Sequence, residues 1–544
     1  MKLPSFFLAG QVSSPTSYFS LLFFMVFLPA CLLVYQVFPR KWKKYFLLLA
    51  SWGFYWLVSG TLIVFLVLSS LSMFFFGLVL ENMQQKMDAG LEGLSRQEKK
   101  EKKKPYLAKQ RAVAILAAIL HVGLLLVLKY SGFFATNVNS LLSVMGTGMS
   151  VPVPDFVKPL GISFYTLSAL SYILDVYRGT IKADHNPLRL SLFLSFFPQI
   201  VEGPICRYRE TAQQLWDAGP IQYDHFMKGL QRYLYGMMKK IVVADRLNTA
   251  VNIIYTNSTQ FDGGVIALSA VAYTLQLYMD FSGSMDAVVG IAQMFGITMP
   301  ENFKRPFFSK TISEFWQRWH ITLGAFLRDY IFFPITTADG MKKLTKKARK
   351  KFGNHFGPVL TGSIALFFVW VCNGLWHGAG WHYIFFGMYH LVFILIGNFI
   401  MPATVWMNKH LVRPWQAWAY KIFRIVRTCI LVCIGEMFFR ADSLRIGLGM
   451  AKTMFTRFTL KSFNGQLLQT LQIDIHDVII VLVTTAIVFV ISVLNENGYE
   501  VREHLAVKKL PVRWAFYLGL VLYIIIFGAY GFGYLPVDPM YAQY

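Results

Sequence analysis

Apolar residues in this chain come in long runs broken by short polar and basic stretches. Crossing a bilayer takes about 20 apolar residues in a helix, so each run predicts a membrane helix or part of one. The first run is 18–38. Further candidates are 45–58, 61–80, 112–129, 160–177, 187–201, 230–255, 265–281, 284–297, 312–333, 358–376, 380–401, 418–438, 477–494 and 514–533. Short runs such as 284–297 are expected to be re-entrant or half-crossing. The run at 18–38 is longer than the apolar stretch of a signal peptide, and no small-residue cleavage site follows it. It is therefore read as the first span.

Composition sharpens this reading. Hydrophobic residues make up 55% of the 544 and charged residues only 15%. A soluble chain carries roughly a quarter charged residues, so too few are present to cover several soluble surfaces. The expectation is an all-α polytopic membrane protein; disordered, collagen-like and disulfide-framework classes are excluded. The balance of 52 Lys+Arg against 28 Asp+Glu gives a formal charge of +24. Nucleic-acid binding is not the reading of that excess, because the basic residues lie between apolar runs, where positive-inside bias puts them.

The loops at 39–44, 81–111, 339–352 and 495–513 are the basic ones, and the second holds nine Lys/Arg. All four are expected on the cytoplasmic side, with both termini outside. Seven candidates fall between 81–111 and 339–352, yet two loops on one side require an even number of crossings, so at least one segment there does not cross. Such non-spanning pieces surround a cavity or site. No internal repeat is visible, which weighs against an inverted-repeat transporter. The cysteines Cys31, Cys206, Cys372, Cys429 and Cys433 form no metal-type cluster, and no metal site is expected.

Ionisable residues inside apolar runs are costly and mark functional candidates. His320, His377, His382 and His390 fall in or beside such runs. His377 and His382 lack the spacing and the companion carboxylate or cysteine of a metal site. His382 and His390 read best as buried structural histidines. A neutral imidazole, with an ordinary pKa near ~6.5, suits deprotonation of a hydroxyl in a dry tunnel, and His377 is the candidate base with His320 as second participant. Asn373 lies one helical turn before His377, where its amide would fix the imidazole tautomer, and Gly374 and Gly378 would admit a close backbone or a thin substrate. In the segment Tyr278–Asp286, Asp280 followed by Ser282-Gly283 reads as a helix end and restart. Ser282 or Ser284 would be the N-cap, with a salt bridge to Arg305 or Arg328.

These motifs, in order, carry a resemblance. Ser195-Phe196-Phe197-Pro198-Gln199 with Gly203-Pro204-Ile205 comes first, followed by Asp280-Phe281-Ser282-Gly283 and Pro300-Glu301-Asn302-Phe303. Then come Phe315-Trp316-x-Arg318-Trp319-His320 with Arg328-Asp329-Tyr330, Leu375-Trp376-His377-Gly378, and Phe438-Phe439-Arg440-Ala441. Together they resemble the membrane-bound O-acyltransferase (MBOAT) family, in its bacterial branch of alginate O-acetyltransferase and teichoic acid D-alanyltransferase proteins. The resemblance implies a ring of transmembrane and re-entrant helices around a central funnel, with His377 and His320 catalytic. Asn373, Trp376, Asp280, Ser282, Trp316 and Arg318 would line the tunnel or orient groups. Two departures stand out: Glu202 replaces a small residue of the funnel wall, and Ser284-Met285 replaces a Tyr-Ser pair.

The implied chemistry is transfer of an acyl group, by resemblance acetyl, from a cytoplasmic thioester donor such as acetyl-CoA; no tightly bound cofactor is expected. His377 takes the proton of an acceptor hydroxyl as it attacks the carbonyl, and Asn373, Trp376 and His320 orient the ring, line the tunnel or stabilise the oxyanion. Family members of this branch work with an extracellular SGNH-type transferase on a secreted or cell-wall polysaccharide, in the bacterial cell membrane. The ending Asp538-Pro539-Met540-Tyr541-Ala542-Gln543-Tyr544 resembles the aromatic ending Phe-x-Tyr-x-x-Phe of related proteins, with Tyr541 at the central tyrosine, where it would relay the acyl group. The expected division is an MBOAT core over 1–475 and C-terminal membrane helices with an outer tail over 476–544. Two other activities compete: D-alanyl transfer from a carrier protein, and a transporter or flippase for a lipid-linked sugar.

Overall fold

The computed structural model describes residues 18–154, 156, 158–411, 413 and 416–530; the aromatic ending with Tyr541 and Tyr544 lies outside them. The architecture is all-helical, and among the described residues the isolated β pairing is an antiparallel bridge between Phe303 and Trp319. By length and composition, seven helical stretches among the described residues suffice to cross a membrane. They are Arg40–Leu91, Arg96–Val144, Gly263–Met294, Asp339–His377, Trp381–Phe399, Ile475–Glu496 and Leu510–Phe527. A shorter apolar helix covers Phe23–Val37.

Local signals explain where these helices start. A capping box of Ser95 and Glu98 opens Arg96–Val144, and one of Asp474 and Asp477 opens Ile475–Glu496. Proline in the first turn starts Leu510–Phe527, where its missing N–H is no loss. Arg40–Leu91 is two helices, Arg40–Ser59 and Ile63–Leu91, joined at Gly60, whose φ of 55° favours glycine.

The structure corrects several expectations. The runs 160–177 and 187–201 become Ile162–Tyr177 and Pro187–Ser195, of 16 and 9 residues, too short to cross. The run 230–255 is interrupted by a π-helical stretch, Met238–Ala244, that carries buried Lys239 and Lys240. The run 312–333 is broken at His320: a seven-residue helix, Ile312–Arg318, precedes it, and a second begins at Ile321 and runs through the π-helical stretch Arg328–Phe332 to Thr337. Two spanning stretches then remain between the basic segments 81–111 and 339–352, an even number. Those basic segments are themselves mostly helix. Residues 339–352 double back at Gly353 (φ 80°), and Thr345 donates to Thr361 at 2.9 Å across the resulting hairpin.

The expected break at Asp280–Ser284 is absent: Gly263–Met294 runs through it as one helix. Neither Ser282 nor Ser284 caps anything. Ser282 Oγ accepts from Lys239 at 2.8 Å, Asp280 pairs with Lys240 at 3.3 Å, and Asp286 pairs with Lys239 at 2.6 Å and Arg232 at 2.9 Å. The polar residues are tolerated mid-helix because buried cations meet them from the preceding segment. Gly283 permits the approach, since a Cβ there would stand 2.8 Å from the Gly236 carbonyl oxygen. Arg305 and Arg328, the expected partners, bind Glu496 and Asp329 instead.

The chain divides into two compact units. One comprises 20–229 and 288–300, where the rings of Phe23, Phe27, Phe54 and Phe197 cluster and buried Asp184 is held by Arg189 and Tyr208. The other comprises, of the described residues, 18–19, 230–287 and 301–530. Its core draws Tyr255, Tyr273, Phe315, Trp319, Trp370, Phe386, Phe438 and Phe439 into one apolar cluster, and both candidate histidines belong to this unit.

Candidate active site

His377 is the last residue of Asp339–His377, and the chain leaves it through an extended Gly378. Space explains both flanking glycines: a Cβ on Gly374 would stand 2.5 Å from the Tyr383 carbonyl oxygen, and one on Gly378 would stand 2.1 Å from the Tyr383 ring. The close partner is thus Trp381–Phe399, which begins three residues later and brings Tyr383 and Phe386 against the end of the His377 helix. His377 is 4% exposed. Its ring meets Phe439 and Trp376 at 5.0 Å and Phe386 at 6.0 Å between centroids.

His320 joins two helices. Thr311 caps the first by accepting from the Glu314 N–H at 3.1 Å, and that helix ends at Arg318. His320 itself has φ 46° and ψ 51°, a left-handed conformation that is uncommon for a residue with a Cβ and that concentrates at functional sites. The turn is held from outside: the Lys304 N–H donates to the Arg318 carbonyl at 2.8 Å and the Ile321 N–H to the Asn302 carbonyl at 3.0 Å. His320 is 2% exposed, and burial pushes its imidazole down to about 3, so the ring is neutral. Its centroid lies 4.9 Å from Phe281, 5.3 Å from Trp376 and 6.5 Å from His377.

Two histidines 57 positions apart in sequence are thus brought together in one buried aromatic cluster, with Trp376 packed on both rings. Other predicted residues are placed differently. Asn373 is buried on the same helix face as His377, but its Oδ1 has no hydrogen-bond partner among the described residues, so it does not set the His377 tautomer through that oxygen. Trp316 packs on His390 at 4.9 Å and Trp370 at 5.1 Å, and His390 is fully buried among aromatic rings. Arg318 lies in an ion cluster with Glu314 at 2.9 Å and Glu496 at 3.0 Å. Asp280 and Ser282 bind the buried lysines and flank Phe281, the residue that meets His320. Tyr541 lies outside the described residues.

Sequence reasoning overlooked Lys239 and Lys240, although two lysines inside an apolar run carried the same signal as the histidines. It also quoted Asn302 within a motif without giving it a role; nothing in the spacing shows that a loop residue contacts His320.

Over residues 48–440 the chain matches the sequence model of MBOAT, the membrane-bound O-acyltransferase family. It belongs to this family. The MBOAT match takes in His320, His377 and every element that walls them. The chain is 32% identical over 436 residues to the probable alginate O-acetylase AlgI of Pseudomonas syringae pv. tomato, covering 80% of this chain and 74% of that protein. It is 29% identical over 373 residues to the peptidoglycan O-acetyltransferase of Helicobacter pylori, 64% of this chain and 65% of that one. To the teichoic acid D-alanyltransferase of Bacillus subtilis it is 30% identical over 293 residues, 53% and 70% respectively. The chain is therefore a multi-pass membrane protein and a membrane O-acyltransferase.

Proposed function

We propose that this MBOAT enzyme moves an acetyl group from a cytoplasmic thioester, acetyl-CoA, toward an extracellular cell-wall or secreted polysaccharide. The observation that carries the chemistry is the buried pairing of His320 and His377 around Trp376. His377 accepts the proton of an acceptor hydroxyl while that oxygen attacks the thioester carbonyl. The tetrahedral intermediate collapses to an ester, the C–S bond breaks, and the thiolate leaves on the donor side. Phe281, Phe386 and Phe439, packed on the two imidazoles, keep water from competing for the acyl group.

Support for acetyl and for a polysaccharide comes from the relatives, two of which are named as O-acetylating enzymes of alginate and peptidoglycan. The basic segments 81–111, 339–352 and 495–513 are taken as cytoplasmic, where they attract an anionic donor, with both termini outside. Acetyl then passes to an SGNH-type extracellular transferase by way of Tyr541. A phenol is a suitable relay, since an ordinary pKa near ~10 makes its ester more reactive than an alkyl ester.

The test uses purified protein in vesicles with acetyl-CoA. His377→Ala abolishes acyl transfer with membrane abundance near wild type, and His320→Ala lowers it severely. Substantial activity in the His377→Ala protein removes the general-base assignment. Consumption of a carrier-protein thioester but not acetyl-CoA establishes the D-alanyl reading, in line with the teichoic acid relative. Sugar translocation that survives His377→Ala, without acyl chemistry, establishes the flippase reading.

A further inference from the structure

Asn302 is 1% exposed, and its side chain has polar contacts with Met285, His320 and Thr322. Its Oδ1 accepts from the Thr322 backbone N–H at 3.1 Å and from the Thr322 hydroxyl at 3.0 Å, while its Nδ2 points at Met285 Sδ, 3.2 Å away. A backbone N–H can only donate, so the orientation of the amide is settled: the oxygen is the end that faces residues 320–322. That same oxygen lies 3.2 Å from His320 Nδ1. Two acceptors cannot bond, so Nδ1 carries the proton. In a neutral imidazole, Nε2 then holds the lone pair.

We infer that Asn302 is a positioning residue that locks His320 as the Nδ1–H tautomer, leaving Nε2 as a hydrogen-bond and proton acceptor. The backbone cooperates, because the Asn302 carbonyl also takes the Ile321 N–H, so one residue fixes both the left-handed turn and the ring it presents. The inference narrows the role of His320, and this part rests on the acyl-transfer reading. A neutral ring with no proton on Nε2 cannot donate to an oxyanion from that atom. His320 therefore does not supply an oxyanion donor through Nε2; it stands as an acceptor beside His377, which takes the hydroxyl proton, and oxyanion stabilisation falls to other donors.

The ring can be read directly. In the full chain in lipid nanodiscs, ¹⁵N spectra of labelled histidine, with His320→Gln to assign the signal, should show a protonated Nδ1 and an unprotonated Nε2. A protonated Nε2 in the wild-type protein overturns the inference whatever the acyl acceptor proves to be, so it fails separately from the acyl-transfer reading. Asn302→Leu should release the lock, giving mixed tautomers and a kcat loss of roughly 10- to 100-fold at unchanged KM for the thioester, the scale of a misplaced catalytic group. An unchanged tautomer in that variant also overturns it. Asn302→Asp keeps an acceptor and restores the tautomer. Its carboxylate favours the imidazolium, so the acid limb of the rate–pH profile moves to higher pH. Of the ring contacts described for His320, the one with His377 is to a titratable group, and those with Phe281 and Trp376 are to uncharged rings. A purely structural Asn302 would lower thermal stability without moving the tautomer or the pH limb.

Discussion

Lys239 and Lys240 are adjacent and both fully enclosed, yet their removal should cost different amounts. Lys240 is the counter-ion shared by Asp245 and Asp280, the latter 3.3 Å away. Lys239 holds Asp286 at 2.6 Å and Ser282 at 2.8 Å, but Asp286 also has Arg232 at 2.9 Å, and Arg232 is in turn anchored by Glu301. Methionine keeps the length of either side chain and removes the ammonium. Lys240→Met leaves two buried carboxylates without that cation between them, and breaking a buried pair from one side costs about 3–5 kcal/mol. Burial already pushes Asp245 up to about 6, so protonation recovers part of the loss. Lys239→Met removes one of two cations from Asp286 and a single hydrogen bond to Ser282, about 1–3 kcal/mol.

The expected order is therefore Lys240→Met well below Lys239→Met, separated by about 2 kcal/mol if the midpoints of those ranges hold. Thermal denaturation of the detergent-purified protein, followed as loss of the monodisperse chromatographic peak, gives the ranking. Adding Asp280→Asn to Lys240→Met should raise the transition again, because one of the stranded charges is gone. Equal losses, or a larger loss for Lys239→Met, would refute the view that shared counter-ions decide the cost.

Three further outcomes are expected. Gly378→Ala places a methyl group 2.1 Å from the Tyr383 ring, which packs on Phe439 beneath His377; acyl transfer in vesicles should fall roughly tenfold or more, while Gly362→Ala, in open space, is silent. Cysteines placed at exposed Lys103 and Lys343 should react with impermeant reagents only from the cytoplasmic side, and labelling in intact cells would reverse the orientation. Tyr541→Phe should abolish polymer acetylation and Tyr544→Phe leave it near wild type; full acetylation by the Tyr541→Phe protein removes the relay.

The apolar runs marked most of the helices that cross, because crossing length is a property of composition. They failed where tertiary charge pairing overrides a local signal. Asp280, Ser282 and Gly283 read as a helix break until buried lysines from another segment supply their partners. The run at 312–333 has the apolar content of a span but not its geometry, since the cap at Thr311 and the left-handed His320 cut it into two helices. His377 was legible as a histidine at the end of an apolar helix. Asn302 was not, because its partners lie 17 to 20 positions away across a turn without periodicity.

That turn also indicates why both histidines sit where helices stop. Inside a membrane protein, non-helical backbone is tolerated only where other groups satisfy it. Residues 301–304 and 318–322 do this for each other, through the Phe303–Trp319 bridge, the Lys304 and Ile321 N–H bonds and the Asn302 side chain. A continuous helix would commit every backbone group along its own axis and aim each side chain at a fixed angle. Breaking it at His320 allows the ring to approach Trp376 and His377 from a different helix, while Tyr383 closes over the end of the His377 helix through the space left by two glycines. The geometry of the pair thus depends on interruptions that hydropathy cannot register, and the residues that make those interruptions affordable, Asn302 above all, are the ones whose loss should separate activity from folding.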